Sequence, residues 1–194
     1  KKEQRIFYVM GTIKIPQAVQ YFASIIFKEK NHLVDAKDNI LQLVGNIQEE
    51  TTTMPFSKTD YYEREMGSDL IRIFVLFETL MQRDVLSDIK IITNDIETLL
   101  AKNDARTVNI DPGYMSLENI VLATTKGYAH RIYIGKGIYG DLTLIYNTGT
   151  YRPLEWTYPD YGGDDIIALF NRWRGFLKAK LKGFGGSEIQ AAKP

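Results

Sequence analysis

Two stretches of the chain are apolar on both alternating faces, residues 21–27 (YFASIIF) and 70–77 (LIRIFVLF). This pattern is typical of a strand that is covered on both sides. Each stretch precedes a segment with apolar residues at helical spacing, at residues 33–44 and 85–102. The pattern therefore predicts two central strands and two amphipathic helices.

Signals at the ends of these segments refine the prediction. Gly45 is well placed to end the first helix, and Asp84 is expected to cap the second. Residues 46–56 are rich in threonine and contain Pro55, which suits a strand at a sheet edge. Residues 106–110 predict another short edge strand.

The order is thus strand, helix, strand, strand, helix, strand, and the first and third strands are the most apolar. This order predicts an α+β fold with a ferredoxin-like split βαβ core, in which these two strands form the central pair. An unrelated α+β sheet is the alternative. Residues 16–182 are expected to form one domain, with a leader or expression remnant at 1–15 and a flexible tail at 183–194.

The chain beyond this core predicts an extension of helix, hairpin and terminal helix. Ser116 is placed to cap a helix that runs to residue 125. The remaining predicted elements are a strand at 130–134, a hairpin of residues 141–146 and 150–154 around Asn147-Thr148-Gly149, and a helix at 165–182 with a basic second half.

Composition excludes several classes of protein and site. Hydrophobic residues make up 44% of the 194, which is enough for a sizeable core. Twenty-four basic residues balance 24 acidic ones, so a dedicated DNA or RNA binder with a basic excess is not indicated. With no cysteine and two histidines, the chain cannot form disulfides, thiolate sites or Cys/His-rich metal sites.

Hydrophobicity also bears on location. No apolar run approaches the roughly 18 residues of a membrane-spanning helix, so no membrane partner is expected. No signal peptide is evident, and a cytoplasmic location is predicted. The sequence leaves the oligomeric state open.

Four short blocks carry a resemblance to a known family. They are residues 59–67 (TDYYEREMG), 109–114 (NIDPGY), 123–131 (ATTKGYAHR) and 156–161 (WTYPDY). Together they resemble an uncharacterised bacterial and archaeal family of about 180 residues, the size of one domain, that is described as a domain of unknown function. Some members carry the label GTP-binding. The resemblance spans residues 16–174 and implies a family, but neither an activity nor site residues.

The nucleotide label can be compared with phosphate-binding motifs. The chain has no GxxxxGK[ST] run, so it has no P-loop. Residues 135–140 (GKGIYG) fit GxGxxG, but they lie between two predicted strands, whereas a dinucleotide-binding loop joins a strand to a helix. A kinase-type glycine loop does join two strands, but its HRD and DFG partners are absent. A hairpin turn with glycines at positive φ is favoured.

Asp111, His130 and Glu63 are the candidate catalytic residues. Asp111 lies in Asp-Pro-Gly, which has the chemistry of a turn, and its carboxylate can act as a base or hold a cation. The imidazole of His130 can transfer protons as a general acid or base, although a structural hydrogen-bonding role is the alternative.

The candidate ligand-binding residues are Asp60, Asn109, Lys126, Arg131 and Tyr158. Asn109 is expected on the same side of its strand as Asp111. Lys126 and Arg131 would meet an anion, although Lys126 also suits the negative end of a helix. Tyr158 could stack on a base or sugar, or it could cover the core.

An acidic cluster suggests a cofactor. Asp60, Glu63 and Glu65 could bind Mg²⁺ through carboxylate oxygens, or they could pair with nearby arginines. Mg²⁺ is therefore a candidate cofactor, but no residue is assigned as a metal ligand.

Two functions from different classes are compatible with these patterns. The first is binding, with or without turnover, of a small anionic or phosphorylated ligand such as a nucleotide. The second is a non-catalytic protein- or RNA-interaction module, which the basic last helix and the tyrosines suggest. An RNA reader would need aromatic residues on an exposed central strand. Convergence of Asp111, His130, Arg131 and Glu63 in one cleft would favour the first function.

Overall fold

The computed structural model describes residues 11–56 and 62–183. In this part of the chain nine strands form one antiparallel sheet. They are β1 (Val19–Phe27), β2 (Ile47–Glu50), β3 (Met54–Pro55), β4 (Ile71–Met81), β5 (Val108–Met115), β6 (Asn119–Thr124), β7 (Arg131–Gly135), β8 (Ile138–Asn147) and β9 (Thr150–Pro153). The strand order is β2-β4-β1-β5-β6-β8-β7, with β3 beside β4 and β9 beside β8.

Four α-helices complete this part of the fold: α1 (Lys30–Val44), α2 (Glu63–Met66), α3 (Leu86–Leu100) and α4 (Asp164–Gly183). The predicted α+β class is therefore confirmed. None of the described helices has the length and apolar character that crossing a bilayer requires.

The two strands predicted to be covered on both sides, β1 and β4, both lie inside the sheet: β4 pairs with β2 and β1, and β1 pairs with β4 and β5. Tyr21 and Ile25 of β1 pack in the core that α1 and α3 cover, whereas Phe22 packs in the core that α4 covers. All nine residues of β1 are buried, because helices lie on both faces of the strand. Burial on both faces explains the absence of polar alternation in the sequence.

Of the two segments that were predicted to be edge strands, one lies at a sheet edge and the other does not. Residues 46–56 do supply the edge strands β2 and β3, next to β4. The prediction that residues 106–110 form an edge strand is wrong, because β5 lies between β1 and β6 and continues to Met115.

The predicted turn at Asp111-Pro112-Gly113 is also wrong, since all three residues lie within β5. Pairing with β6 begins only at Gly113, so Pro112 has a strand neighbour on one side alone. A proline is tolerated there because its missing N–H faces no ladder.

The predicted helix after Ser116 is wrong as well, because residues 119–124 form β6. The Ser116 Oγ accepts the N–H groups of Glu118 and Asn119, which closes the turn between β5 and β6. This is the local bond by which serine favours turns as well as helix caps. Ile120 and Leu122 alternate into the core under α4.

Of the two residues that were predicted to mark a helix end, Gly45 and Asp84, only Gly45 does so. Gly45 ends α1 at φ 98°, as predicted. Asp84 does not cap α3; it lies in a 3-10 turn, Arg83–Val85, and the residue before α3 makes no side-chain cap. Gly135, Lys136 and Gly137 have positive φ in the hairpin between β7 and β8, which confirms the interpretation of the GxGxxG run as a turn.

The strand β7, the hairpin of β8 and β9 and the terminal helix α4 confirm the remaining predicted elements, which were a strand at 130–134, a hairpin and a last helix. Residues 1–10, 57–61 and 184–194 lie outside the described residues. They include Asp60, most of the expected leader and nearly all of the expected tail.

Replacing Gly113 with alanine tests the close approach of β5 to its neighbours. A Cβ atom there would lie 2.7 Å from both the Phe22 ring and the Val121 carbonyl oxygen. Because backbone cannot yield easily, we expect Gly113→Ala to lower the free energy of unfolding by roughly 1–3 kcal/mol in urea titrations. Gly175→Ala, in open space on α4, is the control and should be neutral or stabilising. Equal stability of both variants would contradict the position of β5.

Candidate functional site

Polar side chains of three adjacent strands meet on the sheet face that α4 covers. Ser24 of β1 lies directly opposite Asp111 of β5, and Arg72 of β4 lies opposite Ile26 of β1. Opposite residues in antiparallel strands share a face. Ser24 is two residues from Phe22, whose ring lies 4.9 Å from Phe170 of α4. We call the set Ser24, Arg72, Asn109, Asp111, Asp160 and Tyr161 the central polar cluster.

Arg72 is a charged residue inside the most apolar part of the sheet. Only 5% of it is exposed. Its guanidinium group forms an ion pair with Asp160 and lies 4.4 Å from the Phe56 ring and 5.5 Å from the Tyr161 ring. Burial of a charge is costly unless the charge is paired, and the carboxylate and aromatic faces supply that stabilisation.

One buried nitrogen of this cluster, the Arg72 Nε, has no hydrogen-bond partner among the described residues. Burial raises the pKa of Tyr161; Arg72 and a side-chain hydrogen bond with Ser24 oppose this shift, and Asp111 and Asp160 reinforce it. The Tyr161 hydroxyl therefore stays protonated beside Ser24. An unsatisfied buried donor costs about 1–3 kcal/mol, so the Arg72 Nε indicates a place for an acceptor.

Asp111 is held from two sides. Its Oδ1 lies 3.2 Å from the Lys90 Nζ, and its Oδ2 accepts a hydrogen bond of 2.7 Å from the Asn109 amide. This contact confirms that Asn109 and Asp111 share one side of the strand. Lys90 also donates to the Ile110 carbonyl at 3.0 Å.

A partly buried ion network lies behind Asp111, at the part of β5 that β6 does not reach. The Glu97 carboxylate of α3 accepts the Ile110 N–H at 2.6 Å. Arg106 binds both oxygens of Glu65, at 2.8 and 2.6 Å, and also donates to Asn109 at 2.8 Å and to Glu97 at 3.3 Å. Arg106 thereby ties the short helix α2 to β5.

The network shifts two carboxyl groups in opposite directions. Burial raises the pKa of Glu97 above its ordinary 4.5, although Lys90, the Ile110 N–H and Arg106 oppose the shift. The hydrogen bonds from Arg106 lower the pKa of Glu65. The network therefore destabilises the ionised form of Glu97 and stabilises the ionised form of Glu65.

A second cluster surrounds Arg131 at the start of β7, and we call it the β7 cluster. Its guanidinium donates to Asp141 at 2.8 Å, to the Lys126 carbonyl at 2.9 Å and to the Tyr158 hydroxyl at 2.6 Å. The His130 Nε2 lies 3.6 Å from the Asp141 carboxylate.

The rings around the β7 cluster lie partly in solvent. The His130 ring is nearly parallel to the Tyr128 and Trp156 rings, at centroid distances of 6.2 and 5.2 Å. Tyr128, Trp156 and Tyr158 are all exposed. This side of the sheet therefore presents aromatic faces around a fully engaged arginine.

The structure divides the predicted site residues between these two clusters. Asn109 and Asp111 lie in the first, and Lys126, His130, Arg131 and Tyr158 lie in the second. Glu63 is exposed on α2, and Asp60 lies outside the described residues. Among the contacts of the described residues, none joins Asp111 to His130 or Arg131.

The two clusters nevertheless share one face of the sheet. Asp141 lies opposite Leu122, Leu122 lies opposite Gly113, and Gly113 lies opposite Phe22. Residues 156–161 contribute to both clusters, with Tyr158 in the second and Asp160 and Tyr161 in the first.

Several residues of the central polar cluster and of the ion network behind it were not recognised in the sequence. Ser24 and Arg72 are the only strongly polar residues within the two apolar stretches, and that exception was a usable signal. Lys90, Thr93 and Glu97 are buried on α3 at spacings of three and four residues, the period of one helical face. Arg106 had no comparable signal.

The arrangement of carboxylates and histidines also bears on the predicted Mg²⁺ site. Within residues 11–56 and 62–183, no three His, Asp or Glu side chains are arranged to hold a metal ion. The Asp111 oxygens are already engaged by Lys90 and Asn109.

A family model described as a domain of unknown function, DUF4416, matches residues 17–176. The chain belongs to the DUF4416 family. No curated protein and no solved structure matches it.

The blocks on which the resemblance rests now have positions in a DUF4416 structure. The blocks at 109–114 and 156–161 supply four residues of the central polar cluster: Asn109, Asp111, Asp160 and Tyr161. The described part of the first block, residues 62–67, supplies Tyr62 and Glu65 to the network behind it. The block at 123–131 supplies the β7 cluster. In this DUF4416 chain three separate blocks thus meet around Asp111, which makes the central polar cluster the stronger candidate site.

The pH dependence of stability tests the buried state of Glu97. A raised pKa in the folded state means that stability falls as the pH rises from 4.5 towards that pKa. Glu97→Gln keeps an acceptor for the Ile110 N–H and removes the charge. We expect the free energy of unfolding of the variant, minus that of the wild type, to increase as the pH rises above 4.5 in urea titrations.

Glu65→Gln provides a control of opposite sign. Because Arg106 lowers the pKa of Glu65, the stability that Glu65 contributes is present at neutral pH and is lost as the pH falls below 4.5. The deficit of Glu65→Gln should therefore shrink in acid. Parallel pH profiles for both variants would contradict the assigned burial of Glu97.

Proposed function

We propose that the protein binds a small anionic ligand at the central polar cluster, with phosphorylated compounds such as nucleotides as first candidates. The proposal rests on one observation, the buried Arg72 Nε, which lacks an acceptor although Arg72 lines a cleft. An oxyanion supplies an acceptor for such a donor, and hydrogen bonds with an ionised partner are the strongest of their kind.

A cleft gives a ligand access to Arg72. It has a volume of about 920 Å³ and runs between β3 and the N-terminal end of α4. Arg72 and Asp160 line it together with apolar side chains such as Phe56 and Ile166. A concave, partly apolar site with a few converging polar groups is the usual form of a small-molecule site.

Roles for the surrounding residues follow from their contacts. Asp111 lies opposite Ser24 and is the proposed acid–base group, held in place by Lys90 and Asn109. The three protein contacts of Arg131 favour a structural role for that residue. His130 and Tyr158 are partly exposed, and we propose them only as a rim next to the site.

We also propose that the first half of the fold is a ferredoxin-like split βαβ core. The antiparallel order β2-β4-β1-β5 supports this assignment. The packing of α1 and α3 in the same core, on one face of these strands, supports it further.

A comparison of two buried arginines tests ligand binding. Arg72→Lys keeps a positive charge for Asp160 and removes the Nε donor, whereas Arg131→Lys makes the same change in the β7 cluster. Inorganic phosphate, nucleotides with Mg²⁺ and small carboxylates are screened by thermal shift, and hits are measured by calorimetry. Loss of one charge-assisted hydrogen bond should weaken binding roughly tenfold to a hundredfold in Arg72→Lys only. If no anion raises the melting temperature, the proposal fails, since binding to the folded state must stabilise it.

Protein interaction is a second candidate function, favoured by the exposed edge of β7. Ile132 and Tyr133 are 72% and 59% exposed, and β7 ends the sheet. The Arg131 N–H bonds the Tyr128 carbonyl and so points away from β8. Backbone groups alternate along a strand, so those of Tyr133 also face outward and could pair with a partner strand. RNA reading on the central strands has less support, because Tyr21, Phe22, Phe27, Phe74 and Phe77 are buried.

An exposed charge on β7 tests this second function. We expect Ile132→Lys to remove self-association seen by light scattering or partner retention in a pull-down, without lowering the melting temperature. Val34→Lys, at a 55% exposed position on α1, is the control and should keep both. A monomer that retains no partner and binds a small anion would contradict an interaction module.

A further inference from the structure

The cleft that leads to Arg72 has an acidic mouth. Asp164 and Asp165 form the first turn of α4 and line the cleft on the side facing β3. We use the term acidic mouth for these two residues. Both are exposed, and neither has an ion-pair partner in the part of the chain that the structure describes.

The other charges that line the cleft are already paired. Glu50 pairs with Lys37, and Arg172 pairs with Glu49. Arg72 pairs with Asp160 through one nitrogen, which leaves its buried Nε unpartnered. The cleft therefore has a buried donor end and an outer end with two uncompensated negative charges.

Carboxylates in a first helical turn stabilise the helix, because its N terminus carries partial positive charge. The same two carboxylates prevent this N terminus from serving as an anion site. They would also repel a simple anion on its way to Arg72, and more strongly in a cleft than in open water. A ligand with a second, cationic group would convert this repulsion into attraction.

We propose that the ligand is zwitterionic: its anionic group reaches the Arg72 guanidinium, and its ammonium group lies at the acidic mouth. This inference rests on the proposed anion-binding function. The chemical class is an amine that carries a carboxylate or a phosphate a few bonds away. Carboxylate and phosphate share the required acceptor chemistry, and the experiment distinguishes them.

Matched ligands test the inference by calorimetry at low salt. Butyrate is compared with 4-aminobutyrate, and ethyl phosphate with 2-aminoethyl phosphate; within each pair only the ammonium group differs. We expect the ammonium compound of at least one pair to bind tenfold or more tightly than its partner. The pair with the larger gain identifies the anionic group. Butylamine should bind weakly, because it cannot use the buried donor.

Variants locate the ammonium site. The double variant Asp164→Asn, Asp165→Asn should bring the two members of a pair to within about twofold of each other, since each 1.4 kcal/mol of lost attraction is tenfold. Glu155→Gln removes an exposed carboxylate that does not line the cleft and should leave the tenfold difference intact. Thermal melts verify that each variant is folded.

The outcomes separate the two proposals. If none of the anions binds to the wild type, the proposed function fails and this inference fails with it. If the anions bind and the ammonium group adds no affinity, only the zwitterion is overturned. A preference that survives in the double variant, or butylamine binding as tightly as 4-aminobutyrate, also overturns it.

Discussion

The unpaired edge of β5 determines where the ionisable groups around Asp111 lie. Between Val108 and Pro112 the strand bonds to β1 on one side, while β6 joins it only from Gly113 onwards. Buried backbone groups must find partners, and no strand of the described residues pairs with β5 on that side. Glu97 accepts the Ile110 N–H and Lys90 donates to the Ile110 carbonyl, so two ionisable side chains of α3 replace a neighbouring strand.

This replacement has consequences for the whole cluster. The Lys90 ammonium group that bonds the Ile110 carbonyl also contacts the Asp111 carboxylate. Glu97, which accepts the Ile110 N–H, forms an ion pair with Arg106. Arg106 then fixes Glu65 and with it α2. Pro112 completes the arrangement, because at the next outward-facing position it has no N–H that needs a partner. A backbone requirement in β5 thus brings residues of α3, α2 and the segment before β5 together beside Asp111.

The sequence allowed prediction of those elements whose pattern reflects burial on both faces or strict alternation. The strands β1 and β4, the helices α1, α3 and α4, and the β8–β9 hairpin belong to this group. The prediction of a turn at residues 111–114 was wrong, because proline and glycine also suit this part of β5. Pro112 has no partner strand on its second side, and Gly113 lies too close to Phe22 and Val121 for a side chain. The prediction of a helix after Ser116 was wrong for a related reason. The Ser116 hydroxyl closes the turn between β5 and β6 with the same local hydrogen bonds that cap a helix.

The site was harder to predict, because its residues are brought together by contacts distant in sequence. Asn109 and Asp111 were found through their period of two along one strand. Arg72 and Asp160 are 88 residues apart in sequence, and only the packing of the 156–161 segment on the sheet joins them. Since that segment also supplies Tyr158 to Arg131, a shift of this one segment would reach both clusters. A ligand that displaced Asp160 from Arg72 would therefore act on the β7 cluster through three residues of chain, without any direct contact between the clusters.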